Sequence, residues 1–362
     1  MSAGEWFGAT VVEPADENET ASILRSANDT GQAVIPAGGG TKLDWGNPPR
    51  KADILLSVRR MNRVIEHAWA DLTVTVEAGC TIAALQRTLA EHGQRLAVDP
   101  LWPERATVGG ILATNDSGAL RLAFGALRDL IIGVTLVLAD GTIAMSGGKV
   151  VKNVAGYDLP KLATGSLGTL GVITRAVFRL HPLPRNARTL TIAATDANDM
   201  QRIILAILGA RLAVTAVQAR PGNEIDILLE GTMDGIAAQE AVIKEMGAVR
   251  EGSPAVWKAR EELWGDAPIV KFTCLPSQIA STSTSFSGFV IQATGIGYAP
   301  FTGDLRRLRE AMEREGGSLM ILGKSELDAW GNAGDALPLM RAVKAQFDPK
   351  NTLSPGRFVG GI

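Results

Sequence analysis

Three glycine-dense segments in the first half of the chain restrict its fold more than any other feature. They read PAGGGTK at residues 36–42, TVGGILATNDSG at residues 107–118, and a longer run at residues 147–174. The chain has 40 glycines against 17 prolines, without a tripeptide period, so a collagen-like fibre is excluded. Such segments predict tight turns and close approaches of the backbone to a large ligand.

Composition places the chain among globular proteins. It has 362 residues, 46% of them apolar and 20% charged, which is enough for about two domains. A net charge of −2 gives no global field that would attract nucleic acid. The acidic N-terminus lacks the pattern of a secretory leader, and the longest apolar runs, at 130–139 and 203–210, are too short to span a bilayer.

Cysteine and histidine are too sparse and too scattered for a metal centre. Cys80 and Cys274 belong to no Cys-x-x-Cys pair, so this chain alone lacks the four ligands of an iron–sulfur cluster. His67, His92 and His181 pair with no cysteine at the spacing of a zinc site. We expect no metal to be bound.

Periodicity predicts an α+β fold. Strand patterns at 11–14, 33–36, 54–58, 73–77 and 130–138 are mixed with helical patterns at 18–28 and 82–92, and a hairpin follows at 142–145. Prolines at 182 and 184 interrupt both patterns and indicate a domain boundary. We therefore expect a first domain at 1–183, a second with αβ layering at 184–330, and a C-terminal segment at 331–362. The Ser/Thr-rich tract at 277–287 is interpreted as a loop.

The glycine triplet follows a predicted strand, where consecutive glycines let backbone N–H groups converge on a phosphate. The Walker loop is excluded because its Gly-x-x-x-x-Gly-Lys-Ser/Thr spacing is absent, and the Rossmann fingerprint because no long helix follows. A plain surface turn remains open for the triplet alone. The small and hydroxyl residues of 107–118 also permit close approach and supply donors for phosphate or ribityl oxygens, although a tightly packed turn would use them too.

Taken in this order, together with the tail FDPKNTLSPGR at 347–357, the segments resemble the PCMH-type FAD-binding oxidoreductases of the vanillyl-alcohol oxidase superfamily. Within it the chain is most similar to the E-subunit family of bacterial glycolate oxidases, through GGGTKLDWG at 38–46 and GGKVVKNVAGYDLPKLATGSLGTLGVIT at 147–174. The resemblance implies a PCMH-type FAD-binding domain, a smaller α/β sandwich as a cap domain, and a C-terminal segment that returns to the FAD domain.

The resemblance also implies the residues that contact FAD. The pyrophosphate lies on the first loop, the second segment lines the remaining phosphates and the flavin edge, the third lies against the adenosine half, and the terminal arginine returns to the flavin domain. The implied residues are Ala37, Gly38, Gly39, Gly40, Thr41, Lys42, Thr107, Gly109, Gly110, Thr114, Ser117, Gly118, Gly165, Gly171, Ile173 and Arg357.

Two departures from the superfamily pattern affect the expected chemistry. The glycine loop has no histidine, so we expect FAD to be bound non-covalently; Cys80 is interpreted as a packing residue. The His-x-His-type element of the catalytic 2-hydroxy-acid dehydrogenases is also missing, so no general base is identified. Tyr298 and Lys152 are the alternatives for such a base.

The resemblance therefore implies an FAD-binding subunit of a glycolate oxidase complex. Its partners are a paralogous catalytic flavin subunit and an iron–sulfur subunit, and its role is electron transfer or assembly. We expect a cytoplasmic location, with peripheral association at the inner face of the cell membrane through the complex as an alternative. A self-sufficient FAD-dependent 2-hydroxy-acid dehydrogenase remains open, as does a structural subunit that has lost FAD.

Overall fold

The computed structural model describes residues 8–148, 158–323 and 325–362. Lys152 lies outside the described residues. Within them, the chain divides into two compact units. The first contains residues 8–117, 126–183 and 332–362, and the second contains residues 118–125 and 184–331, in each case where described.

Helices and strands alternate irregularly from the start of the described chain to the prolines at 182 and 184. They are β1 (Thr10–Val12), α1 (Glu17–Thr30), β2 (Val34–Ala37), β3 (Ile54–Ser57), β4 (Val64–Ala68), β5 (Thr73–Glu77), α2 (Ile82–Ala90), β6 (Gln94–Arg95), α3 (Val108–Thr114), α4 (Arg121–Phe124), α5 (Leu127–Leu130), β7 (Ile131–Val137), β8 (Ile143–Gly147), α6 (Leu159–Ala163), β9 (Val172–Arg179) and β10 (His181–Pro182).

The remaining elements begin with a strand and end with a long helix. They are β11 (Asn186–Ala193), α7 (Ala197–Gly209), β12 (Val214–Arg220), β13 (Glu224–Gly231), α8 (Met233–Lys244), β14 (Val249–Glu251), α9 (Ala259–Glu262), β15 (Ile269–Thr273), α10 (Ile279–Ser283), β16 (Val290–Gln292), β17 (Ile296–Pro300), α11 (Leu305–Arg314), β18 (Ser318–Leu322) and α12 (Leu337–Phe347). The expectation of an α+β fold is confirmed.

The first unit contains a parallel sheet of order β1-β3-β2 and an antiparallel sheet of order β4-β5-β9-β7-β8 among its described residues. β5 is buried along its whole length because β4 and β9 flank it and α3 packs on it. Helix α1 begins where the Asp16 carboxylate accepts two backbone N–H groups and ends at Gly31, which has φ +69°. Its buried Leu24 and Ala27 join the core of this unit.

The C-terminal segment belongs to the first unit. Residues on either side of Leu353 pair with Val34, whose N–H donates to Thr352 O at 2.8 Å and whose carbonyl accepts from Ser354 N at 2.9 Å. The ammonium of Lys344 is buried and donates to Asp348, to Thr169 O and to Leu353 O at 2.6–2.9 Å. These contacts fix the tail beside β2, the strand that leads into the glycine triplet.

The second unit contains one antiparallel sheet, of order β14-β11-β13-β12-β16-β17-β15-β18 in the described residues, and helices α7 and α8 pack on the same face of it. Strand alternation explains this arrangement: Leu190 and Ile192 join the core beneath α7 and α8, whereas Thr189 and Thr191 point to the other face. The prediction of a loop at 277–287 was wrong in part. The tract contains α10, whose Ile279 and Ala280 are buried beside α7.

Among the described residues, no helix is long and apolar enough to cross a membrane.

Candidate functional site

A cleft in the first unit begins where β2 ends. The segment after Ala37 forms bends and turns rather than a helix, in agreement with the exclusion of a Rossmann loop. The cleft contains about 650 Å³ of empty space, which includes open solvent. Its lining comes from three stretches of the chain and the tail: Pro36, Ala37, Gly38, Gly39, Gly40, Thr41, Lys42, Leu43, Val58, Gly109, Gly110, Ala113, Thr114, Leu167, Gly168, Gly171, Val172, Ile173 and Arg357.

The glycine triplet presents backbone donors at this cleft. In the described residues, no acceptor is found for the backbone N–H groups of Gly39, Gly40 and Thr41. Gly40 has φ +74°, a conformation that favours glycine. Successive N–H groups in a concave turn form a site for an anion, and phosphate oxygens are suitable acceptors.

Steric contacts explain why the first two positions of the triplet are glycine. A Cβ on Gly39 would lie 1.8 Å from the carbonyl oxygen of Arg105, and a Cβ on Gly38 would lie 2.0 Å from Thr107 Oγ1. The loop therefore rests directly on the backbone of residues 105 and 106 and on the side chain of Thr107. Glycine at these two positions is required by contact and not by a positive φ.

Two arginines hold the carbonyl oxygens of the loop. Arg59, two residues beyond β3, donates its Nε to Gly38 O at 3.2 Å and its Nη2 to Gly39 O at 3.0 Å. Arg357 donates its Nη2 to Leu43 O and, at 2.8 Å, to Trp45 O. Burial lowers the pKa of the Arg357 guanidinium to about 10, against the opposing effect of Asp44. Because its Nη2 is engaged with backbone carbonyls, Arg357 helps to shape the loop from the tail side.

A buried ion pair connects the first two glycine-dense segments. The Lys42 ammonium lies 3.2 Å from Asp116 Oδ2, and the two side chains are 3% and 0% exposed. Lys42 also donates to Leu101 O at 3.2 Å, and Asp116 accepts from Leu101 N at 2.8 Å. The ammonium lies 5.7 Å and 5.4 Å from the ring centroids of Trp45 and Trp102. Lys42 thus borders the cleft while its charge is compensated inside the protein.

The second segment forms the short helix α3 rather than a strand. Thr107 caps it, with its hydroxyl accepting from Gly110 N at 3.3 Å. Gly109 permits close packing, since a Cβ there would lie 2.9 Å from the Cβ of Ala78. Thr114 donates its hydroxyl to Gly110 O at 2.8 Å. The helix therefore presents Gly110, Ala113 and Thr114 to the cleft.

The third segment closes the opposite side of the cleft. Leu167 has φ +51°, and Gly168, with φ +72°, lies against the ring of Pro36. A Cβ on Gly171 would lie 3.3 Å from both Leu136 Cβ and Val137 O, so the chain enters β9 close to β7.

Most of the residues implied by the resemblance line one cleft. Four do not: Thr107 caps α3, Ser117 is buried, Gly165 with φ +88° donates its N–H to Leu112 O, and Gly118 belongs to the second unit. The role of all sixteen residues in binding FAD stays a prediction. Several lining residues lie within the quoted motifs but were not assigned as FAD contacts from the sequence: Pro36, Leu43, Ala113, Leu167, Gly168 and Val172. Val58 of the lining and Arg59 beside it lie outside the motifs, and no local signal indicates them.

The histidines lie away from the cleft lining. His67 contacts Gln94 Oε1 at 2.9 Å, and its ring meets that of His92 edge-on at 5.1 Å. Burial, together with the charges of Arg179 and Arg95, lowers the pKa of His181. Among the described residues, no three His, Cys, Asp or Glu side chains come together to hold a metal ion.

Tyr298, one of the two alternatives for a base, is fully buried on β17 in the second unit. The Arg260 guanidinium lies over its ring at 5.1 Å and its Nη1 is 3.5 Å from the phenol oxygen. Lys271 lies 5.9 Å from the same ring centroid. The phenol is thus enclosed among cationic side chains.

Comparison with known proteins indicates the ligand of the cleft. Residues 8–146 match the model of the family described as FAD binding domain. The chain is similar to the glycolate oxidase subunit GlcD of Bacillus subtilis, at 33% identity over 56% of this chain and 43% of that protein. It is also similar to D-lactate dehydrogenase of Archaeoglobus fulgidus, at 28% identity over 96% of this chain and 91% of that protein. The match thus spans less than half the length of the first relative and most of the second.

Solved structures show the same fold. An alkyldihydroxyacetonephosphate synthase in crystal form P212121 superposes with a TM-score of 0.71 over 96% of this chain and 77% of that chain, at 17% identity. A second crystal form, P1, gives a TM-score of 0.72. The expected PCMH-type FAD-binding fold is confirmed.

Proposed function

Because the chain contains a PCMH-type FAD-binding domain and belongs to the FAD-dependent oxidoreductases, we propose that it serves in the oxidation of a 2-hydroxy acid of the glycolate or D-lactate class. Bound FAD supplies the acceptor for the two electrons that leave the substrate carbon. The observation that carries the substrate class is the similarity to a glycolate oxidase subunit and to D-lactate dehydrogenases.

The residues of the cleft fit FAD in two ways. The N–H groups of Gly39, Gly40 and Thr41 are available donors for pyrophosphate oxygens. Because glycine has no side chain, the pyrophosphate can come close to the backbone of the loop. Leu43, Val58, Ala113 and Ile173 add apolar surface for the less polar parts of the cofactor. The described lining contains no histidine or cysteine, so we propose that FAD is held without a covalent bond.

We further propose that the chain works as an FAD-binding subunit beside a paralogous catalytic flavin subunit and an iron–sulfur subunit. Oxidation of an alcohol needs a group that accepts the hydroxyl proton. Within the described residues, the cleft lining has no imidazole or carboxylate for this task, and Tyr298 is enclosed in the second unit. The partner subunit would supply the base, and the role of this chain would be electron transfer or assembly.

A self-sufficient 2-hydroxy-acid dehydrogenase is the second candidate. It is favoured by the alignment with the D-lactate dehydrogenase of Archaeoglobus fulgidus over nearly the full length of both proteins. Lys152 lies outside the described residues, so its position does not decide between the candidates.

Anaerobic reduction of the bound flavin separates them. The purified chain is loaded with FAD and mixed with glycolate or D-lactate while the flavin absorbance is followed. We expect bleaching to be slower by about 10²–10⁴ than in the reconstituted complex, because general-base assistance is typically worth that factor. Dithionite serves as a control that the flavin is reducible, and acetate as a substrate analogue without a hydroxyl. Rapid, stoichiometric bleaching of the chain alone would overturn the proposed division of labour.

A further inference from the structure

We propose that Arg59 is a positioning residue that orients the peptide groups of the glycine triplet for the FAD pyrophosphate. Its guanidinium donates to two successive carbonyl oxygens, those of Gly38 and Gly39, at 3.2 Å and 3.0 Å. Planar donors in a fixed fork can hold two acceptors in a defined relative orientation. The inference rests on FAD occupying the cleft with its pyrophosphate over this loop.

Peptide geometry gives the mechanism. In a trans peptide the C=O of one residue and the N–H of the next point in opposite directions. Arg59 therefore fixes the directions of the N–H groups of Gly39 and Gly40 when it holds the two preceding carbonyls. Both N–H groups donate to no acceptor in the described parts of the chain. Without the guanidinium, a run of three glycines has wide conformational freedom, and the donors would have to be ordered when the anion binds.

Arg59 acts from outside the cleft. Its side chain is exposed, and it does not belong to the lining, whereas both glycines that it holds do. The other side of the triplet rests on Arg105 O and Thr107. The loop is thus held between residues 105–107 on one side and the Arg59 guanidinium on the other, and Arg59 need not touch the phosphates.

The adjacent Arg60 provides a matched control. It is also exposed and donates its Nη1 to a backbone carbonyl, that of Glu13 at 3.1 Å, away from the triplet. The full-length chain is compared with Arg59→Met, Arg59→Lys and Arg60→Met. Titration of each apoprotein with FAD gives Kd, and ³¹P NMR at saturating FAD reports on the two phosphorus atoms.

We expect Arg59→Met to raise the Kd for FAD on the order of 10-fold, which corresponds to the loss of about one net hydrogen bond. Its ³¹P resonances should shift from those of the wild type, while its flavin absorbance spectrum and the melting temperature of the apoprotein stay unchanged. Arg59→Lys should recover only part of the affinity, because its ammonium lacks the fork. Arg60→Met should match the wild type in all respects.

Three results would overturn the inference. One is an unchanged Kd in Arg59→Met. Another is full recovery in Arg59→Lys together with loss of the Arg59→Met effect at 0.5 M salt, which would indicate a direct, screened charge contact with the phosphates. The third is unshifted ³¹P resonances with a lower melting temperature of the apoprotein, which would indicate a general structural role. Failure of the wild-type chain to bind FAD would instead refute the proposed function.

Discussion

The buried pair of Lys42 and Asp116 predicts a large and strongly non-additive response to mutation. Both side chains are almost inaccessible, so removing one of them takes away the opposite charge that lies 3.2 Å from the other inside the protein. Breaking such a pair typically costs about 3–5 kcal/mol of stability. We therefore expect Lys42→Met and Asp116→Asn each to destabilise the apoprotein by about that amount.

The size of the effect in a melting experiment follows from the size of the unit. For a folding unit of 150–250 residues, each kcal/mol shifts the melting temperature by about 2–4 °C, so each single variant should melt roughly 6–20 °C lower. In the double variant no unpaired charge remains. Its destabilisation should fall at least about 2 kcal/mol short of the sum of the two singles.

The assay is thermal denaturation of the four apoproteins, wild type, two singles and the double, followed by circular dichroism. A pair at the surface of the same unit, exposed Lys51 with half-buried Asp53 at 2.9 Å, is the control, and Lys51→Met should change stability by less than about 1 kcal/mol. Additive effects in the double variant, or single variants within about 0.5 kcal/mol of the wild type, would refute the reasoning.

Three further predictions concern the cofactor, the loop and pH. Acid or heat precipitation should release intact FAD into the supernatant, and free FAD at about 100 times its Kd should stabilise the fold by about 2.7 kcal/mol; flavin retained in the precipitate would contradict non-covalent binding. Gly39→Ala should abolish FAD binding because its Cβ would lie 1.8 Å from Arg105 O, whereas Gly209→Ala, with nothing within 4 Å, should bind FAD normally in the same titration. Burial, together with the charges of Arg179 and Arg95, lowers the pKa of His181 in the folded protein below its usual 6.5. The folded protein therefore favours the neutral imidazole, and this contribution to stability is complete above pH 6.5 and is lost as the pH falls through the folded pKa. When the pH is lowered below 6.5, the melting temperature of His181→Gln should therefore decrease less than that of the wild type.

The elements of the fold were predictable where the local pattern was strong. Strand β5 was predicted at its observed residues 73–77, and α2 differs only in ending at Ala90. Helix α8 begins at Met233, three residues before its first buried residue, Ile236, because Thr232 caps it. The helix inside the Ser/Thr-rich tract was missed, since its tertiary contact through Ile279 outweighs a composition typical of loops.

The glycine-dense segments could be found in the sequence, but the side chains that shape them could not. Arg59 holds carbonyls some 20 positions away, Lys42 pairs with a residue of another segment, and Arg357 reaches Trp45 across 312 positions. Periodicity and spacing report only on neighbours in the chain, whereas these pairs are set by the tertiary fold. Arg357, which the resemblance implies at the flavin domain, lines the cleft, but its backbone acceptors in the loop could not be read from the sequence.

The hydrogen bond from Arg357 to the carbonyl of Trp45 can form during synthesis only after residue 357 has been made. Arg357 emerges 312 residues after Trp45, whose carbonyl it holds. At about 5–20 residues per second, ribosomes need roughly 15–60 s to make that stretch. Strand β2 and the triplet therefore exist for that time without the guanidinium that holds the carbonyl groups of residues 43 and 45. The carbonyl groups of Leu43 and Trp45 therefore lack this donor until residue 357 has been made.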